Sequence, residues 1–316
     1  MGLNDLPEDW VERLKAGDRG VLSRVITCIE NNTLNDDELV SAVGAYGGCA
    51  QIVAFTGPPG VGKSTLTSCY IKALRDGGSK VCVIAIDPSN HVNGGAVLGD
   101  RIRYNRNMDS GIFFRSLSTR GQLGGLSRAT ARVANVMDAA GADVIAIETV
   151  GTGQVEVDVA DLATTTVLLS SPNQGDSIQA IKAGILDIAD IIVINKADID
   201  GSEIAKQELT KATAHRNRVG SWQVPVLGTV ATDGIGIEEL VDAIKGHYQQ
   251  EGRERRRTLS LRWFESLLQD AALDLAMSKV QNLSQAQLEK YSQNFLAGEI
   301  SFADVAASIV SSSTIE

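Results

Sequence analysis

The chain has 316 residues, room for one large or two small domains, with 43% apolar and 22% charged residues, an ordinary globular mixture. Its net charge of −10 argues against bulk nucleic-acid binding, and no apolar run reaches the roughly 18–20 residues that a membrane span needs. Cys28, Cys49, Cys69 and Cys82 lack the C-x-x-C spacing of a zinc knuckle and suggest no disulfide framework, and residues 1–5 lack the regions of a signal peptide, so a reduced cytoplasm is the expected compartment.

In chain order, residues 1–46 read as a helical extension. Pro7 and the acids after it suit a helix start, with Trp10, Val11 and Leu14 on one face. A second helix is expected over residues 18–30, with Val21, Leu22, Val25, Ile26 and Ile29 apolar, and a third after the capping side chains Asn35-Asp36-Asp37. None carries chemistry, so a packing or partner-facing layer is expected.

Residues 47–252 alternate short apolar runs with helical patterns. Strands are expected at 51–56, 80–86, 112–115, 143–147, 166–170, 191–194 and 224–229. Several lack polar alternation, which suits strands covered on both faces of a mostly parallel sheet. The fold class is therefore α/β, a sheet flanked by helices, with ligands expected where the strands end. Residues 253–316 change character and read as a C-terminal helical arm, with helices at 259–276, 284–295 and 301–310, the last two starting at a serine cap. The basic run 253–257 is expected to be a solvated helix start.

Two strings carry most of the chemistry. Gly57-Pro58-Pro59-Gly60-Val61-Gly62-Lys63-Ser64 matches the P-loop pattern G-x-x-x-x-G-K-[ST] without mismatch. Its glycines let backbone N–H groups converge on a phosphate at a helix N-terminus. Lys63 supplies a cation for the outer phosphates, Ser64 a hydroxyl for Mg²⁺, and Thr65 reaches toward an inner phosphate. Asn195-Lys196-Ala197-Asp198 selects guanine, because the Asp198 carboxylate can accept from both the ring N–H and the exocyclic amine of that base. Together the two strings point to GTP.

Magnesium takes hard oxygens, and Ser64, Asp87, Asp100 and Glu148 are placed to supply them near expected strand ends. Glu148-Thr149-Val150-Gly151 is like the D-x-x-G segment of GTPases, so the Gly151 amide can bond a γ-phosphate and release after hydrolysis. Gln154 either orients the attacking water or serves loop structure. Residues 88–104 form a long polar loop, and the Gly-rich stretch 121–125 reads as a hinge or partner-contact turn.

These strings, together with Asp87-Pro88-Ser89, Leu98-Gly99-Asp100, Leu123-Gly124-Gly125, Gly153-Gln154 and Gly175-Asp176, resemble the methylmalonyl-CoA mutase-associated GTPase chaperones of the MeaB/ArgK type. The resemblance spans most of the chain and is strongest over residues 51–200. It implies a P-loop GTPase core related to nickel-insertion GTPases, with an N-terminal helical extension and a C-terminal dimerisation arm that makes a homodimer. It implies an adenosylcobalamin-dependent acyl-CoA mutase as partner, whose cofactor loading and reactivation the GTP cycle gates.

By the same resemblance, Ser64, Asp100 and Glu148 match the magnesium region, with Asp87 nearby. Arg103 matches a first-switch arginine. Asp176 and Lys182 match a third mobile segment, where Lys182 can neutralise charge on the transferring phosphate. The backbone of Ala231 matches a guanine contact. The implied catalytic group is then Lys63, Glu148, Lys182 and Gln154. Departures exist: Asn90-His91-Val92-Asn93 stands where the family tends to Ser-Thr-Arg-Thr, His91 reads as a polar substitute, and Thr229-Val230-Ala231 replaces a Ser-Ala pair.

Two other classes fit the sequence less well. A nickel- or cobalt-insertion GTPase would show clustered Cys or His ligands, yet the three histidines are scattered. A small-molecule kinase would need an acceptor pocket, and Asp198 favours guanine over adenine.

Overall fold

Each of the seven predicted runs is a strand. In the computed structural model, which describes residues 6–31, 33–34, 39, 43–44, 48–87, 111–118, 125–149, 154–172, 183–214 and 222–311, they are β1 (Gln51–Thr56), β2 (Val81–Asp87), β3 (Ile112–Ser118), β4 (Val144–Glu148), β5 (Thr165–Ser170), β6 (Ile191–Asn195) and β7 (Val226–Thr229). They form one sheet in the order β3-β2-β4-β1-β5-β6-β7, with every neighbouring pair parallel. Strand β3 runs three residues past its expected end because it pairs with β2 out to Ser118 opposite Asp87. Strand β7 starts after Pro225, whose ring nitrogen cannot donate to a ladder; its carbonyl still accepts from the Ile192 N–H at 3.0 Å.

The helices are α1 (Trp10–Lys15), α2 (Arg19–Glu30), α3 (Lys63–Asp76), α4 (Gly125–Ala139), α5 (Gln154–Ala160), α6 (Ala183–Ile188), α7 (Ser202–Ala214), α8 (Ile237–His247), α9 (Arg253–Gln281), α10 (Gln285–Leu296) and α11 (Phe302–Ser311). Every residue of β1, β5 and β6 is buried, the consequence of helices on both faces. One cluster joins Val53, Phe55, Val167 and Val193 to Leu66 and Tyr70 of α3 and to Leu240 and Ile244 of α8. A second packs Leu168, Ile192 and Ile194 against Leu209 of α7.

The N-terminal layer packs, as one of the two expected readings had it. Asp18 caps α2, accepting from the N–H groups of Gly20 at 2.8 Å and Val21 at 3.1 Å. Its carboxyl is held below the usual carboxylate range by Arg13 first and by these amides next. Helix α2 is tied to β3 by Arg115, which bonds Glu30 and reaches Thr27 Oγ1 at 3.0 Å, and by Arg19, which donates to the Ile112 carbonyl at 2.7 Å. The helix expected after Asn35-Asp36-Asp37 lies largely outside the described residues.

The expectation for residues 253–257 needs correction. After α8 the chain makes one π-helical turn, Tyr248–Gly252, and enters α9 directly. Arg256 is buried rather than solvated: its guanidinium donates to Asp138 Oδ2 at 2.6 Å and to Asn135 Oδ1 at 3.3 Å, both on α4. Asp138 also accepts from the N–H groups of Gly48, Cys49 and Ala50 just before β1. Beside it, Arg255 donates to buried Asp190 at 2.7 Å, and Asp190 accepts the Thr166 N–H at 2.8 Å. Two ion pairs thus fasten the root of α9 to the sheet and to α4. Desolvating charge is tolerable here because each carboxylate has several donors.

The chain divides into two compact units, Met1–Leu259 and Ser260–Glu316. In the second, Ser284 forms a reciprocal capping box with Gln287, and Ser301 and Asp304 exchange bonds at the start of α11. The rings of Phe295 and Phe302 lie 4.2 Å apart, and Lys279 donates to the Val310 carbonyl at 2.6 Å. Along α9, Leu261, Phe264, Leu268 and Leu275 are exposed. Among the described residues no helix is long and apolar enough to cross a membrane.

Candidate functional site

Strand β1 leads straight into the predicted phosphate loop. Gly57, Gly60 and Gly62 all hold positive φ, at 141°, 80° and 93°, and α3 begins at Lys63. At two of these positions space as well as torsion demands glycine. A Cβ on Gly57 would lie 2.3 Å from the Leu169 carbonyl oxygen of β5, and one on Gly62 would lie 2.4 Å from Asn195 Nδ2. The loop is therefore seated against the ends of β5 and β6. Gly57→Ala should destabilise the fold by more than about 1 kcal/mol, because backbone cannot give way as a flexible side chain would. A denaturation midpoint equal to wild type would contradict this.

Lys63 is buried, and its ammonium donates to the Gly57 carbonyl at 2.7 Å and the Pro58 carbonyl at 2.9 Å. Its cation is thus held over the loop whose N–H groups flank it. Ser64 Oγ, on the second residue of α3, bonds the Glu148 carboxylate at the end of β4. The register explains this meeting, since Phe55 of β1 pairs with Glu148. On the other side of β4, Ala85 of β2 also pairs with Glu148, so Asp87 ends β2 at the same edge of the sheet. Two hard oxygens within bonding reach, one a carboxylate, fit the donor set of a magnesium ion.

The base-side string ends β6. Asn195 is buried; its Nδ2 donates to the Val61 carbonyl at 2.8 Å, and its Oδ1 accepts from Thr229 Oγ1 at 3.1 Å and the Ala231 N–H at 3.2 Å. It ties the phosphate loop to the loop after β7. Lys196 adopts φ 59°, rare for a residue with a Cβ, and its ammonium caps the Gly60 carbonyl at 2.9 Å. Ala197 donates to the Thr229 carbonyl at 3.0 Å, and Asp198 follows in an exposed turn.

The structure therefore brings together Gly57, Pro58, Pro59, Gly60, Val61, Gly62, Lys63, Ser64 and Thr65 with Glu148, Asn195, Lys196 and Ala231. Gln154 opens α5. His91, Asp100, Arg103, Gly151, Asp176 and Lys182 lie outside the described residues. Sequence reading missed two contributors. Thr229 read as the start of the base-side loop, with no contact of its own; its bond exists because β6 and β7 pair Asn195 opposite Thr229. Cys69 read as an ordinary cysteine, yet its Sγ lies 3.0 Å from the Ala231 carbonyl oxygen. No spacing rule signals a contact across 162 residues.

A parallel sheet with a glycine cradle after its central strand, and an Asn-Lys-x-Asp turn two strands away, defines a P-loop GTPase. The family model of the methylmalonyl Co-A mutase-associated GTPase MeaB matches residues 22–281, and the chain belongs to that family. It is similar to PH0274 of Pyrococcus horikoshii, named as a GTPase, with 46% identity over 79% of this chain and 82% of that one. It is 33% identical to the mouse methylmalonic aciduria type A homolog, mitochondrial, over 86% of this chain and 72% of that protein. Among solved structures, one titled LAO/AO transport system kinase superposes with a TM-score of 0.68 at 28% identity, covering 95% of each chain. The protein is a GTPase, binding GTP and GDP.

Proposed function

We propose that this GTPase is a magnesium-dependent chaperone of an adenosylcobalamin-dependent acyl-CoA mutase, methylmalonyl-CoA mutase or a relative. In this reading its GTP cycle gates cofactor loading and protects or reactivates the mutase. The observation that carries the proposal is membership, across residues 22–281, of a family named for association with methylmalonyl Co-A mutase. The site supports it by joining a phosphate cradle to a guanine-selecting turn through Asn195.

Lys63 and the amides of residues 60–65 bind the β- and γ-phosphates, and Asp198, with the backbone at Ala231 beside it, reads guanine. Ser64 and Glu148, with Asp87 and Asp100, would hold magnesium, which would offset the negative charge of the phosphates. Gly151 senses the γ-phosphate. Lys182 adds positive charge beside it, and Gln154 orients water. Hydrolysis without a supplied cation is slow in this chemistry, and binding of the mutase accelerates it.

We further propose that residues 1–46, 47–252 and 253–316 serve as helical extension, GTPase domain and dimerisation arm, and that the protein works as a cytoplasmic homodimer. Exposed Leu261, Phe264, Leu268 and Leu275 recur at three-, four- and seven-residue steps along α9, the pattern of a helix-pairing seam. The test is twofold. Purified protein should hydrolyse GTP slowly, only with Mg²⁺, and leave ATP intact; with a non-hydrolysable GTP analogue it should retain a mutase on a column. Equal ATP turnover would sink the base assignment, and failure to retain or reactivate any such mutase would sink the chaperone role.

A further inference from the structure

We infer that Cys69 is a positioning residue for guanine recognition, fastening the base loop to the same helix that carries the phosphate ligands. The inference rests on the reading of Asp198 and the loop at Ala231 as the base side of the site. Residues 229–231 are gripped from two sides. From β6, Asn195 Oδ1 takes the Thr229 hydroxyl and the Ala231 N–H. From α3, the Cys69 thiol faces the Ala231 carbonyl, with Sγ and O 3.0 Å apart. The two peptides flanking the Ala231 Cα are thus held by different elements, which fixes the loop at this residue from both sides.

Cys69 is half-buried and packs against the cluster that contains Ala231, Ile237 and Leu240. Burial pushes its thiol above the ordinary value, with Lys72 opposing only in part. It therefore stays protonated at neutral pH, the state in which sulfur can donate. Cys69 lies six positions after Lys63, about 9 Å along a helix. Helix α3 is then a rigid spacer that sets the base loop at a fixed distance from the phosphates. Removing the thiol frees the Ala231 carbonyl and loosens the base end of the site, while Lys63, Ser64 and the cradle stay as they are.

Calorimetric titration of the full chain tests this, with GDP, ADP and inorganic tripolyphosphate as probes of wild type, C69A and C69S. In C69A, GDP affinity should fall about three- to tenfold, as for one lost hydrogen bond, while tripolyphosphate affinity stays within about twofold. C69S should recover most of the loss, because its hydroxyl donates to the same carbonyl. Equal losses for GDP and tripolyphosphate, no loss in C69A, or a C69S as weak as C69A would each overturn the inference. A wild type that takes GDP and ADP alike would overturn the base-loop reading beneath it.

Discussion

Asp198→Asn protein should exchange guanosine for xanthosine nucleotides, losing GTP affinity by about 100-fold or more. A carboxylate accepts from two neighbouring donors, the ring N–H and the exocyclic amine of guanine. A carboxamide offers one acceptor and one donor, so its NH₂ would oppose the guanine amine. Xanthine carries a carbonyl at that position and meets the NH₂ with an acceptor. Asp198 sits in an exposed turn, so the exchange should leave folding untouched. Competition between GTP and xanthosine triphosphate for the variant checks this; retained guanine preference would remove Asp198 from the base site.

Asp138→Ala should lower folding stability by about 3–5 kcal/mol, the usual cost of stranding one member of a buried ion pair. The carboxylate accepts from Arg256 and from the N–H groups of Gly48, Cys49 and Ala50. Its removal leaves a buried guanidinium and several backbone donors without that acceptor. Arg256→Met should cost less, because Asp138 keeps three amide donors and the methionine fills much of the arginine's volume. The order of the two losses is the informative result. Denaturant midpoints measure both, and an Asp138→Ala loss below about 1 kcal/mol, or one smaller than that of Arg256→Met, would show the pair to be a bystander.

Much of the architecture could be read residue by residue. Strands such as Ile52-Val53-Ala54-Phe55 and Ile191-Ile192-Val193-Ile194 are apolar without alternation, and both prove buried on both faces. The phosphate cradle was legible because Gly57, Gly60 and Gly62 announce positive φ, and all three adopt it. The basic run 253–257 misled because composition reports charge and not partners. Arg256 is buried only because Asp138, 118 residues earlier, stands opposite it. Likewise the pairing of Ser64 with Glu148 could be guessed as a shared magnesium role, but their contact depends on β1 lying beside β4.

What the amino-acid order alone determined was local: which segments are strands and helices, where the chain curls into a phosphate loop, and which strings carry the motifs of a GTPase. These follow from torsional preference, periodicity and donor–acceptor chemistry, all properties of neighbouring residues. Tertiary structure alone decided which distant groups meet. It placed Thr229 on Asn195, Cys69 on Ala231, and Arg255 and Arg256 on Asp190 and Asp138. The physical reason is that strand order sets these distances: β4 and β5 flank β1, and β6 pairs with β7, an arrangement that the packing of the whole sheet selects and that no short stretch of chain encodes.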